Sequence, residues 1–204
     1  MLMRDLLPIQ TNAGFTLLEV LVAIVVFSVG LLGLAALQIF SLRLSHDSLL
    51  RTTATILAND MADRMRANPV EAARGINSLY NNPLGLATGN PHCLSKDESG
   101  NDIDTACTPA ERAMQDFYEW RAKLSGHVAT SWHPEIKSEL PTGEGVVCID
   151  STPDDGLPPP NDSGCDNLPT NGKNIYTIKI WWSERKDNAS VPNKRHQFVM
   201  QVNL

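Results

Sequence analysis

Residues 15–40 read FTLLEVLVAIVVFSVGLLGLAALQIF, an apolar run whose one charge is Glu19. About 20 apolar residues in a helix cross a bilayer, so this run is long enough to be a span. It is too long for the apolar region of a cleaved secretory signal, about 7–15 residues, and the small pair Ala13-Gly14 precedes it rather than follows it. A carboxylate at a bilayer centre costs about 2.5–3.5 kcal/mol, which makes Glu19 expensive unless it is paired. Glu19 lies four residues after Phe15, on the same face of a helix. A cut between Gly14 and Phe15 would create an α-amine able to pair with that carboxylate. Glu19 therefore reads as half of an ion pair whose other half is made by processing.

Gly14-Phe15-Thr16-Leu17-Leu18-Glu19, followed directly by the apolar run, resembles the class III signal of type IV pilins and pseudopilins. The resemblance is strong over residues 10–45. The segment EVLVAIVVFSVGLLGLAALQ, with Gly30 and Gly33, is similar to minor pilins of the PilV type. Where many major pilins carry a proline, this chain has Ala36. The resemblance implies a leader over residues 1–14, removed by a prepilin peptidase that cuts after Gly14 and methylates Phe15. Glu19 then serves subunit assembly. It also implies an inner-membrane precursor with a single span, a periplasmic C-terminal domain, and later residence in a pilus. The implied partners are other minor pilins, the major pilin and a tip adhesin. A pseudopilin of a type II secretion system is the nearest alternative, and a membrane-anchored periplasmic binding domain is an alternative of another class. The leader's single basic side chain, Arg4, is offset by Asp5, and Arg43 and Arg51 follow the span, so an inside amino terminus rests on the motif rather than on charge.

The helix is expected to continue past the membrane. Residues 41–67 contain no Pro or Gly, and Leu50, Ala54, Leu57, Met61 and Met65 recur at helical spacing as one apolar stripe. Asn68-Pro69 ends it, because the residue before proline is driven out of the α region. A helix over residues 15–67 would be about 80 Å long. Its first part, residues 15–40, is apolar all round. Its second part, residues 41–68, is one-sided and should lay its stripe on a soluble domain over residues 69–204.

That domain reads as α+β, with the long helix packed on a small antiparallel sheet of three or four strands, which is also what the resemblance implies. A short helix is expected over residues 70–79. A second clear helix over residues 109–125 opens with Thr108, Pro109 and Glu111 as a capping box and ends at Gly126. Its stripe Ala113, Phe117, Trp120 and Leu124 reads as core. Strands are expected over residues 146–149, 174–183 and 197–204. In the second, Tyr176, Ile178, Ile180 and Trp182 should face the long helix, while Thr177 and Lys179 mark a wetter side, with Ile175 and Trp181 half covered. In the last, Phe198, Met200, Val202 and Leu204 should point inward.

Cys93, Cys107, Cys148 and Cys165 follow the anchor, which points to the oxidising side of a membrane. Four cysteines allow three pairings, and sequence alone does not choose. The pairing taken here, Cys93 with Cys107 and Cys148 with Cys165, closes two polar excursions of roughly 15 residues, each worth about 3 kcal/mol on chain-entropy grounds. No CxxC and no second half-site accompany His92-Cys93, so no metal is expected. The acidic loop from Asp97 to Asp104 lacks the order of a calcium loop and reads as a solvated turn, as does Asp154-Asp155-Gly156. Asn188-Ala189-Ser190 matches a glycosylation sequon only formally, and Lys194-Arg195-His196 reads as charge protecting a sheet edge. His46, His127, His133 and His196 are isolated in sequence, and no nucleophile constellation occurs. The net charge of −6, from 17 basic and 23 acidic residues, argues against a dedicated nucleic-acid surface. The chain is expected to be an assembly subunit without a cofactor, not an enzyme.

Overall fold

The computed structural model describes residues 14–86, 93, 107–126, 136–170, 172–183 and 195–204. The leader before Gly14, the Asp97–Asp104 loop, His127, His133, the sequon and Lys194 lie outside the described residues. The element order is helix α1 (Leu17–Ala67), helix α2 (Pro69–Ala72), a 3-10 turn (Gly75–Asn77), helix α3 (Pro109–Ser125), then strands β1 (Glu144–Ile149), β2 (Tyr176–Ser183) and β3 (Arg195–Val202). The chain divides into two units, Met1–His46 and Asp47–Leu204.

In the first unit every described residue is solvent-exposed, including Phe15, Leu21, Phe27, Leu32 and Phe40. This is the part of α1 with the composition and length of a membrane span. Its one hydroxyl in the middle of the run, Ser28, donates to the Ile24 carbonyl at 2.7 Å and so brings no unsatisfied donor into an apolar medium.

The second unit begins with the remainder of α1, where the environment becomes one-sided. Leu50, Ala54, Leu57, Ala58, Met61, Ala62 and Met65 are buried, and the other face is open. The stripe joins Tyr176, Ile178, Ile180 and Trp182 of β2 in one core with Phe117, Trp120 and Leu124 of α3. Full burial of each large apolar side chain contributes about 1.5–3 kcal/mol, which makes this contact the main source of stability for the unit. Asn68, at φ −124° and ψ 61°, leaves the helical region before Pro69. The helix expected over residues 70–79 is instead two short pieces, α2 and the 3-10 turn, because Gly75 takes φ +61° and interrupts it.

Helix α3 starts as its sequence requires. The Thr108 side chain accepts from the Glu111 backbone N–H at 3.2 Å, and the Glu111 carboxylate accepts from the Thr108 N–H at 2.9 Å. Its indole Trp120 Nε1 donates to the Leu57 carbonyl at 2.8 Å, which fixes α3 against α1. Between α1 and α3 a polar cluster is enclosed. Asp116 accepts from Tyr80 at 2.7 Å and from Arg64 at 3.2 Å, and Asn68 donates to the Tyr80 hydroxyl and to the Pro109 carbonyl. Burial pushes the Asp116 carboxyl above its ordinary range and the Tyr80 phenol well above its own.

The sheet is antiparallel with β2 central, in the order β1-β2-β3. The last strand is Arg195–Val202 rather than residues 197–204, because pairing runs from Ser183↔Arg195 to Tyr176↔Val202 and then β2 ends. Leu204 therefore lies past the ladder and is exposed, contrary to its expected inward position, while Phe198 and Met200 pack half-buried on the core.

A membrane-type helix with a capped start and a covered sheet face

The start of α1 is set by local chemistry. Thr16 precedes the first helical residue, and its hydroxyl accepts from the Glu19 backbone N–H at 3.2 Å. The Thr16 carbonyl accepts from the Glu19 and Val20 N–H groups at 3.1 and 3.3 Å. Thr16 is thus the N-cap and Glu19 stands in the first turn, where a negative charge is favoured by the helix dipole. Phe15, one of the expected processing residues, lies just before the helix and is 83 % exposed, and Gly14 beside it is also exposed. Helix formation begins at Leu17 rather than Phe15 because the cap residue has to stay outside. Gly30 and Gly33 have open space where a Cβ would stand, leaving shallow dents in an apolar surface.

A second arrangement was not legible as such in the sequence. Thr177 and Lys179, expected on the wetter side of β2, are fully buried, and so is Trp181, which was expected to be half covered. The reason is a covering layer. The chain after β1, residues 150–166, folds back over this face and is tied to it by the disulfide between Cys148 of β1 and Cys165 (Cα–Cα 6.1 Å). Val146, Cys148 and Trp181 form a small apolar cluster beneath it, with Cys165 against them.

At its centre the Lys179 Nζ lies 2.6 Å from Asp150 Oδ2, and neither side chain is solvent-accessible. The same ammonium donates to the Asp155 carbonyl, the Asp155 carboxylate and the Ser163 carbonyl, each at 3.0 Å. All its protons are therefore used, as burial of a charge requires. Desolvation raises the Asp155 carboxyl, but the hydrogen bonds from Lys179 and Thr152 outweigh it and hold the group below its ordinary range. Gly156 and Gly164, both at positive φ, let the two limbs of the loop cross at backbone contact. Asp155, read as part of a turn, is thus also a fastening point. The alternation of β2 identified which residues share this face, but no sequence signal showed that the face would be covered.

A disulfide also joins Cys93 to Cys107 (Cα–Cα 5.2 Å). Cys148, Asp150 and Cys165 come together with metal-ligand atom types, yet both sulfurs are consumed in the disulfide and Asp150 is held by Lys179, so the cluster has no donor to offer. His196, isolated in sequence, stacks on Trp182 with ring centroids 5.5 Å apart.

The arrangement defines a class: a helix of membrane-spanning composition continued into a disulfide-bonded α+β domain, with a polar capped end at the start of the apolar run. Residues 9–35 match the prokaryotic N-terminal methylation motif, and residues 36–118 match the family described as type IV pilin Tt1218. Both matches support a type IV pilin, and the long helix with its three-stranded antiparallel sheet is a type IV pilin-like α+β fold. The matched family is a structural one. No curated protein and no solved structure matches the chain.

Proposed function

We propose that this chain is a minor pilin of the PilV type, cut by prepilin peptidase after Gly14, methylated on Phe15, and incorporated into a type IV pilus or its assembly-priming complex. The observation that carries the reading is the placement of Gly14, Phe15 and Glu19 at the capped start of an apolar helical stretch, residues 17–40, that is exposed throughout. Such a surface has two stable environments, lipid and a bundle of like helices. An apolar helix gains little by exchanging one for the other, so association needs packing and a specific polar contact to set register. Glu19 supplies the anion of that contact, and the new amino terminus of a neighbouring subunit supplies the cation. Methylation leaves that charge in place. Retaining Glu19 puts the subunit below the extreme tip, with at least one subunit above it.

The precursor then spans the inner membrane once with residues 15–40, and residues 69–204 form the periplasmic domain. Its partners are the major pilin, other minor pilins and a tip adhesin. Mass spectrometry of the amino terminus of the protein from its native host tests the reading. The expected result is a chain beginning at methylated Phe15. A working form that keeps residues 1–14 overturns it, since the pairing cation would then not exist.

A further inference from the structure

The covered face of β2 brings an amine and a carboxyl group into contact where water does not reach. Lys179 Nζ lies 2.6 Å from Asp150 Oδ2 with both side chains fully enclosed. Yet Oδ2 has no hydrogen-bond partner, so the contact is close without having the direction of a hydrogen bond. The three protons of the ammonium go elsewhere, to the Asp155 and Ser163 carbonyls and to Asp155 Oδ1, each at 3.0 Å. The other oxygen of Asp150, Oδ1, accepts from the Thr152 backbone N–H at 3.1 Å. Thr152 Oγ1 also donates to Asp155 Oδ2 at 2.9 Å and so fixes that carboxylate beside the nitrogen. A nucleophile, a carboxyl carbon, a donor to its carbonyl oxygen and a proton carrier therefore surround one point.

We propose that Lys179 and Asp150 condense into an intramolecular amide, Nζ bonded to Cγ, with release of one water. Enclosure disfavours the separated charges, so a proton passes from Nζ to Asp150 Oδ2 and leaves a neutral amine beside a carboxylic acid. The amine keeps its orientation through the Asp155 and Ser163 carbonyls. Its lone pair attacks Cγ, and the charge that develops on Oδ1 is met by the Thr152 N–H. The Asp155 carboxylate takes a second proton from the nitrogen and delivers it to Oδ2. The Cγ–Oδ2 bond then breaks, and the oxygen leaves as water with both protons. One proton stays on the nitrogen, and Asp155 is again a carboxylate. Condensation is unfavourable between free groups in water, but groups held in contact react at effective molarities of roughly 10⁵–10⁸ M. Asp155, with its side chain about half exposed, opens this point to solvent and lets the water out. Folding first makes the ion pair, and the amide accumulates from it, so stability measured soon after folding reads the ion pair. The bond would tie the end of β1 to the middle of β2 independently of the Cys148–Cys165 disulfide.

The test is a time course of intact mass for the full chain in detergent, incubated at neutral pH with its disulfides formed and then reduced and denatured for measurement. The expected result is a species lighter by one water that grows over days, with tandem spectra of the digest joining the Asp150 and Lys179 peptides. Lys179→Arg, which keeps a cation but offers no attacking amine, should show no such species. Asp155→Asn changes only the proton carrier, at a half-exposed position where folding is not at risk, and should slow the reaction about a hundredfold. A wild-type chain that keeps its full mass while hydrogen exchange shows residues 150–166 protected overturns the proposal. Water loss that maps elsewhere, such as a cyclic imide at Asp155-Gly156, overturns it as well. Condensation of Asp155→Asn at the wild-type rate overturns the part given to Asp155.

Discussion

Lys179 and Asp150 form an ion pair at 2.6 Å with both side chains sealed from solvent, between the central strand and the segment that covers it. Lys179 belongs to a strand whose other face builds the main core, so one residue connects the covering loop to the body of the domain. Removing one partner of a buried pair leaves an uncompensated charge and costs about 3–5 kcal/mol.

Lys179→Met should therefore lower the unfolding free energy of the full chain in detergent by about 3–5 kcal/mol, a large part of a typical domain's stability. Adding Asp150→Leu should recover much of that loss, because the stranded carboxylate is removed. A double variant whose loss in denaturant titrations equals the sum of the Lys179→Met and Asp150→Leu losses would show that the pair is not coupled.

Asp155 gives the same loop a pH dependence. Its folded-state pKa lies below the ordinary value of 3.8, with the Lys179 and Thr152 hydrogen bonds opposing desolvation. A depressed carboxylate contributes stability that is present above the unfolded value and lost as pH falls through the folded one. Amide hydrogen exchange in residues 150–165 should accelerate as pH drops below about 4, after correction for intrinsic rates. Asp155→Asn should flatten this response, and an unchanged profile in the variant would assign the acid sensitivity to another group.

The disulfide between Cys148 and Cys165 closes a loop of sequence separation 17 over the covered face. Replacing both cysteines with serine should cost about 3 kcal/mol on chain-entropy grounds. The loss should be larger in the 150–166 segment than in α3, as read by hydrogen exchange. Uniform loss of protection would mean that the loop and the sheet unfold as one unit.

What could be read in the chain divides along local and non-local causes. The long helix, the capping box at Thr108 and Glu111, and the core face of β2 follow from spacing and from side chains a few residues apart. Each is decided within one or two turns, where sequence carries the whole cause. Lys179 is buried where alternation predicts a wetter side, because alternation assigns it a face but says nothing about what lies above that face. Its burial depends on residues 150–166 returning across the strand, an event set by Cys165, Ser163 and Asp155 together. Similarly, Leu204 satisfies the period of a strand, and only the length of β2 excludes it from the ladder. At the amino-terminal site, the residues Gly14, Phe15 and Glu19 stand out from motif alone, while the Thr16 cap is a detail of where the helix can begin.

Gly145 tests how tightly α3 is seated on β1. A Cβ at this position would stand 2.5 Å from the Trp120 ring and from Leu124 Cδ1, closer than van der Waals contact allows. Gly145→Ala should destabilise by about 1–3 kcal/mol through overpacking, with the loss visible as increased near-ultraviolet mobility of tryptophan signals. A neutral result would mean that α3 can slide away from the sheet, which the Trp120 bond to the Leu57 carbonyl argues against.

Glu19 is the position where the proposed assembly chemistry meets the helix surface. Every other residue near it on α1 is apolar or, like Thr16, satisfied locally, so the exposed carboxylate is the one specific polar handle on this stretch. Glu19→Ala keeps the helix, since alanine is the best helix former. The variant should therefore reach the membrane at wild-type level and be cut normally. Its recovery in sheared filaments should fall tenfold or more, equivalent to about 1.4 kcal/mol in an association equilibrium. Glu19→Gln should fall to a similar extent, because it keeps the shape and loses the charge. Full incorporation of the glutamine variant would replace ion pairing by hydrogen bonding as the contact that sets register. Full incorporation of the alanine variant would leave Glu19 with no part in assembly.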